Sequence, residues 1–312
     1  MNIVFFGTSE FGLPALAVLK NSHSLAAIVS TPDKPSGRNL RMRQSPVKRW
    51  AAVNDIRCLD YLRENASLLI AQLQEMRPDL FVVIAFGGIL PADLLTLPRL
   101  YSLNVHASLL PKYRGAAPMQ YALLKGDKET GVSVMRMIER LDAGDVLLKK
   151  KIAVGPDENI QELGERLSIL GAETLMETLG QIEHGNAKFT VQDEAQATYT
   201  KKISKSDGKI DWRLPASEIH DRVRAFAGWP GSHFFFRGKR IVVWRTELSA
   251  PVPGTFLAPG TVMDLSQRDG LAVAAGGGTS LCLRELQLEG KKQLLWREFA
   301  KGFALQAGDV LE

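Results

Sequence analysis

Two cysteines in 312 residues, Cys58 and Cys282, are too few for a disulfide framework or a cysteine-built metal site. Both are expected to behave as small core residues. No apolar run approaches the ~18 residues that span a bilayer, so no membrane partner is expected. No basic leader or small-residue cleavage site precedes the first apolar run, Ile3-Val4-Phe5-Phe6, which points to a cytoplasmic enzyme. Cofactor glycine signatures are missing as well. Gly7 and Gly12 have no glycine between them, which fails the dinucleotide fingerprint, and no Gly-Lys-Ser/Thr follows to build a phosphate loop. A nicotinamide enzyme is thereby disfavoured. No metal-ligating cluster is visible, so no metal is expected. Net charge is only +5, too mild to argue alone for a polyanion partner, so the distribution of charge matters more.

What remains is an ordinary soluble composition, 45% hydrophobic and 23% charged, in a chain long enough for two domains. The first half alternates strand and helix patterns. Asn2 to Gly7 and Ser24 to Ser30 read as strands around a helix that runs through Leu19, and Asn65 to Met76 has helical spacing. Leu80 to Ala85 is continuously apolar, as a buried central strand should be. Gly131 to Ile138 and Val146 to Val154 add strands, and Ile160 to His184 is amphipathic. The pattern predicts an α/β fold, Rossmann-like and doubly wound about a mostly parallel sheet. Beyond a polar linker at 190–206, one helix is followed by hairpin-like strands with glycine turns, which predicts a small OB-like β-barrel domain. The expected domains are 1–189 and 207–312. The second could equally be a purely stabilising appendage.

Chemistry is concentrated in Leu103 to Pro118, LNVHASLLPKYRGAAP. In a short strand, residues two apart share a face roughly 6 to 7 Å apart, so Asn104 and His106 would point the same way. One offers an amide donor and the other a group that titrates near neutrality. The end of a strand in such a sheet is where ligands bind. Asp142, in the turn-rich Glu139–Asp145 segment, is an ordinary turn aspartate unless it meets His106. From Thr31 to Arg49 the chain is long for a βα loop, and it carries Lys34, Arg38, Arg41, Arg43, Lys48 and Arg49 against a single acidic residue, Asp33. A solvated loop and an arm for a phosphate backbone fit it equally.

Asn104-Val105-His106 with Ser108 to Gly115, the opening Phe6-Gly7-Thr8, and Leu141-Asp142-Ala143-Gly144-Asp145 together resemble the folate-dependent formyltransferases. The resemblance extends through Lys202-Ile203-Ser204-Lys205 and Ile210-Asp211-Trp212, nearly the whole chain. Phe86-Gly87-Gly88 stands where the family has Tyr-Gly-Leu. The resemblance implies the formyltransferase fold and transfer of a formyl group from 10-formyltetrahydrofolate to the α-amine of initiator methionyl-tRNA. It assigns oxyanion stabilisation to Asn104, a second donor and proton carrier to His106, and orientation and charge stabilisation of that ring to Asp142. It assigns folate binding to Phe86, Gly87, Gly88, Ile89, Leu90, Ser108, Leu109, Leu110, Pro111 and Arg140. Contact with tRNA falls to Lys34, Arg38, Arg41, Arg43, Lys201, Lys202 and Lys205. A monomer without metal is expected. The rivals are a formyltransferase acting on an amino-sugar nucleotide or glycinamide ribonucleotide, and a non-catalytic nucleic-acid binder using the barrel alone.

Overall fold

The computed structural model describes residues 1–36, 41–249, 257–263 and 270–312. The chain forms two compact units, one of Met1–Pro118, Glu129–Ile152 and Gly164–Lys201, the other of Met119–Lys128, Ala153–Leu163 and Lys202–Glu312.

In chain order the first half contains β1 (Asn2–Gly7), α1 (Leu13–Ser22), β2 (Ser24–Ser30), β3 (Lys34–Ser36), β4 (Arg41–Arg43), α2 (Pro46–Val53) and β5 (Cys58–Asp60). It continues with α3 (Ala66–Met76), β6 (Leu80–Ile84), α4 (Ala92–Leu95), β7 (Tyr101–His106), β8 (Arg114–Gly115), α5 (Pro118–Leu124), β9 (Glu129–Arg136), β10 (Val146–Ala153), α6 (Ile160–Glu183) and β11 (Tyr199–Thr200). Seven strands form one sheet in the order β10-β9-β7-β6-β1-β2-β5. The pairs from β7 to β5 are parallel, and β9 runs antiparallel to β7. Strand β6 is buried along its whole length, as its unbroken apolar run requires for a central parallel strand. Side chains of alternate residues fall into two cores. Ile3, Phe5, Val82, Ile84, Leu103 and Val105 join Leu175 and Leu179 of α6 on one face, while Val4, Phe6, Phe81 and Val83 pack with Leu69 and Leu73 of α3 on the other.

Three sequence expectations change here. The stretch Thr31–Arg49 is not one long loop. It contains the hairpin β3–β4, and α2 starts at Pro46, because the Ser45 hydroxyl accepts the Lys48 backbone N–H at 3.1 Å and proline suits the first helical position. Lys48 is not a free cation of that arm. Its ammonium sits 2.7 Å from Asp33 and 2.6 Å from Asp60, a carboxylate 27 positions beyond Asp33 in sequence and brought in by β5. Burial opposes its charge, but the hydrogen bonds and charges of Asp33 and Asp60 outweigh burial and hold the ammonium above the ordinary lysine value. Cys58 is not a core residue: it lies exposed on β5, the edge strand, while Cys282 is buried.

The second unit contains α7 (Ala216–Ala225), β12 (Ser232–Phe236), β13 (Lys239–Leu248), β14 (Leu271–Ala274), β15 (Ser280–Leu288), β16 (Gln293–Leu295) and α8 (Trp296–Phe303). The strands make an antiparallel sheet in the order β12-β13-β15-β14, with β16 added on β15. Among the described residues this sheet has five strands. Phe234, Ile241, Leu271, Leu281 and Leu283 fill its core with Ile219 and Val223 of α7.

Candidate active site at the carboxyl edge of the parallel sheet

Strands β6 and β7 run parallel and release their chains side by side at their carboxyl ends, Phe86–Leu90 from one and Ser108–Pro111 from the other. This is the position at which an open α/β sheet binds ligands. Asn104 and His106 occupy alternate positions of β7, opposite Met135 and Ser133 of β9. Among the described residues no protein group hydrogen-bonds the half-buried Asn104 amide. His106 is 6% exposed and held on both sides. Its Nε2–H donates to the Tyr113 carbonyl at 2.9 Å, and its Nδ1 lies 3.7 Å from Asp142 Oδ2. Asp142 thus lies beside the imidazole, at ion-pair distance from a protonated ring.

Asp142 reaches that place through an uncommon backbone. Its φ is +48°, in the left-handed region, at a cost of about 1 kcal/mol for a residue with a side chain. The Gly115 N–H donates to its Oδ2 at 2.8 Å. Glycines on either side make the close approach possible. Gly115 has φ +115°, and a Cβ there would fall 2.5 Å from the Thr200 carbonyl oxygen. A Cβ on Gly144 would sit 1.7 Å from the Arg136 oxygen.

The residues assigned to folate divide by what they have left to offer. Phe86 packs edge-on against Phe6 and beside Tyr61, and Leu90 is buried in the same cluster. The Ser108 hydroxyl donates to the Lys112 carbonyl at 2.6 Å, and Leu110 is buried against Met135 and Val146. Gly87 is exposed with open space beside it, whereas Gly88 is half-buried against Phe86 and Tyr61. Ile89 is exposed, its carbonyl already accepting from the Tyr61 hydroxyl at 2.5 Å. Leu109 and Pro111 are half-buried, and Arg140 is ion-paired with Glu194.

Of the residues assigned to tRNA, Lys34 and Arg43 are paired across the β3–β4 hairpin and Arg41 pairs with Ser36, while Arg38 lies outside the described residues. Arg43 is exposed, as are Lys201, Lys202 and Lys205. Among the described residues no group of three or more His, Cys, Asp or Glu could hold a metal ion, and no helix is long and apolar enough to cross a membrane.

One cluster went unseen in the sequence. Residues 190–201, within the stretch read as a linker, are part of the first unit: β11 pairs with β8, and the Thr198 hydroxyl accepts the Tyr113 N–H at 2.8 Å. Arg114, fully buried, donates five hydrogen bonds, to Gln192, Glu194 and Tyr199. The hydrogen bond from Arg114 holds the Glu194 carboxyl below the ordinary glutamate value despite desolvation, with Arg140 assisting. Partners 78 to 85 residues apart leave no local signal, and in sequence Arg114 is one more cation in a basic turn.

Residues 1–179 match the family model "Formyl transferase", and residues 202–304 match "Formyl transferase, C-terminal domain". The chain therefore has both domains of a formyl transferase. The methionyl-tRNA formyltransferase of Citrifermentans bemidjiense is 43% identical over 312 residues, spanning 100% of this chain and 96% of that protein. The methionyl-tRNA formyltransferase of Geobacter metallireducens is 40% identical over 311 residues, 99% of this chain and 97% of that protein. The chain belongs to the methionyl-tRNA formyltransferase family. Among solved structures, WlaRD, a sugar 3N-formyl transferase determined in the presence of dTDP and 5-N-formyl-THF, superposes with a TM-score of 0.66 at 17% identity, over 94% of this chain and 99% of that one. At that identity the likeness concerns the fold.

Proposed function

We propose that the protein transfers the formyl group of 10-formyltetrahydrofolate to the α-amine of initiator methionyl-tRNA, yielding N-formylmethionyl-tRNA for translation initiation. One observation carries this reading: an amide without a hydrogen-bond partner among the described residues shares a strand face with an imidazole beside a carboxylate, at the carboxyl edge of the sheet. Relatives of the same length that carry this activity in their names support it.

The chemistry follows from the donors. The α-amine attacks the formyl carbon, a C–N bond forms, and the carbonyl oxygen becomes an oxyanion. The Asn104 amide donates to that oxygen, an interaction worth roughly 2.7 to 4 kcal/mol for one preorganised donor. The attacking nitrogen must shed a proton, and the folate nitrogen leaves readily only when it gains one. His106 carries the proton between them. With Nε2–H committed to the Tyr113 carbonyl, the neutral ring has its lone pair on Nδ1, and Asp142 stabilises the charge acquired there. The C–N10 bond then breaks and tetrahydrofolate departs. No covalent enzyme intermediate is needed.

The backbone at Phe86–Leu90, Ser108–Pro111 and Arg140 binds the folate in this reading. The cations at 34, 38, 41 and 43 and at Lys201, Lys202 and Lys205 meet tRNA phosphates, so binding weakens as salt rises. The protein works as a cytoplasmic monomer. The test is formyl transfer to methionyl-tRNA with an amino-sugar nucleotide offered alongside. Formylation of the tRNA alone is expected, and formylation of the sugar alone would overturn the assignment.

A further inference from the structure

Asp142 belongs to a turn, with no helix or ladder of its own to hold its main chain. Two carbonyls of that turn converge on one side-chain amide: Gln192 Nε2 donates to Asp142 O at 2.8 Å and to Gly144 O at 2.7 Å. The other end of the amide is also used. Gln192 Oε1 accepts from Arg114 Nε at 3.1 Å and from Arg114 Nη2 at 2.9 Å. A guanidinium on the oxygen leaves the NH2 one orientation, toward the carbonyls. Arg114 is in turn fixed from its far edge by Glu194 at 2.9 Å.

The circuit closes on the same aspartate. Arg114 and Gly115 form β8, and Gly115 grips the Asp142 carboxylate through its N–H while Arg114 grips the Asp142 main chain through Gln192. Side chain and backbone of Asp142 are thus both referenced to one two-residue strand. Tyr113, just before that strand, supplies the carbonyl that fixes the His106 ring.

We propose that Gln192 is a positioning residue of the transfer reaction, holding the left-handed Asp142 turn so that the carboxylate stays against His106. This rests on the role given to Asp142 above. A glutamate at position 192 would keep the Arg114 contact while setting a carboxylate against two carbonyl oxygens.

The experiment uses the full chain as Gln192→Glu, Asp142→Asn and the double variant, with initial rates of formyl transfer from 10-formyltetrahydrofolate to methionyl-tRNA. Gln192→Glu is expected to lower kcat about 10- to 100-fold, the scale of a small misplacement of a reacting group, while both KM values stay within about threefold. In the Asp142→Asn background the same change should cost less than about twofold, because the two residues act as one. If circular dichroism finds Gln192→Glu unfolded, Gln192→Met, of similar length and uncharged, takes its place with the same expectation. Failure of both to fold makes Gln192 a structural brace and overturns the proposal. So does an unchanged kcat, or factors that multiply in the double variant, while Asp142→Asn alone is impaired; the reading of Asp142 then stands. A fully active Asp142→Asn overturns both.

Discussion

Arg114 and Arg43 both come from basic stretches, yet the fold puts them to opposite uses. Arg114 is sealed from solvent, its guanidinium divided among Gln192, Glu194 and Tyr199. Arg43 lies exposed on a two-stranded hairpin beside Met42, which is 62% exposed. The contrast separates two demands on one enzyme. Reacting groups must be held to fractions of an ångström, which takes buried, fully bonded neighbours. A polyanion is met by cations that stay hydrated until it arrives.

The largest effect is expected at the two groups proposed to act on the formyl carbon. Asn104→Ala or His106→Ala is expected to lower kcat by at least ~100-fold with the fold retained. Steady-state kinetics beside a thermal melt checks this, and retained turnover would remove the mechanism.

Next comes Arg114→Ala. It leaves the buried Gln192 amide oxygen without its donors and is expected to destabilise the fold by roughly 1 to 3 kcal/mol, read from urea unfolding. Arg43→Ala, by contrast, should leave stability alone and raise KM for tRNA. It should also reduce the salt slope of tRNA binding by about 1, with the KM for folate unmoved. Equal effects on both substrates would contradict the hairpin's assignment.

The smallest effect lies in the second unit. The hydrogen bond from Arg213 holds the Asp211 carboxyl down to about 2, from an ordinary 3.8, against an opposing desolvation. A depressed carboxylate contributes stability that is complete above the unfolded value and lost as pH falls through the folded one. Asp211→Asn should therefore lower the melting temperature slightly at pH 5 and not at all near pH 2. Both side chains meet solvent, so the contribution is small.

Much of the frame could be read along the chain because its signals are local. The strands Asn2–Gly7, Ser24–Ser30 and Ser232–Phe236 are apolar runs bounded by polar or glycine residues, and Ile160–Glu183 is an amphipathic stripe. Asn104 and His106 could be paired on one face because strand periodicity alone does it. The hairpin β3–β4 was hidden because three-residue strands carry too little pattern, and α2 because its proline and serine read as loop residues until the Ser45 cap is seen. The Lys48–Asp60 pair, the Arg114 cluster and the bond from Gln192 to Asp142 depend on which strands the sheet sets side by side, information that no short window contains.

The most direct measurement is a single-turnover assay with 10-formyltetrahydrofolate labelled in its formyl carbon, supplied with methionyl-tRNA and an amino-sugar nucleotide together. The wild-type chain should place the label on the methionyl α-amine alone, and Asn104→Ala should slow that step at least ~100-fold. Label on the sugar amine, or equal rates from the two chains, would contradict the account.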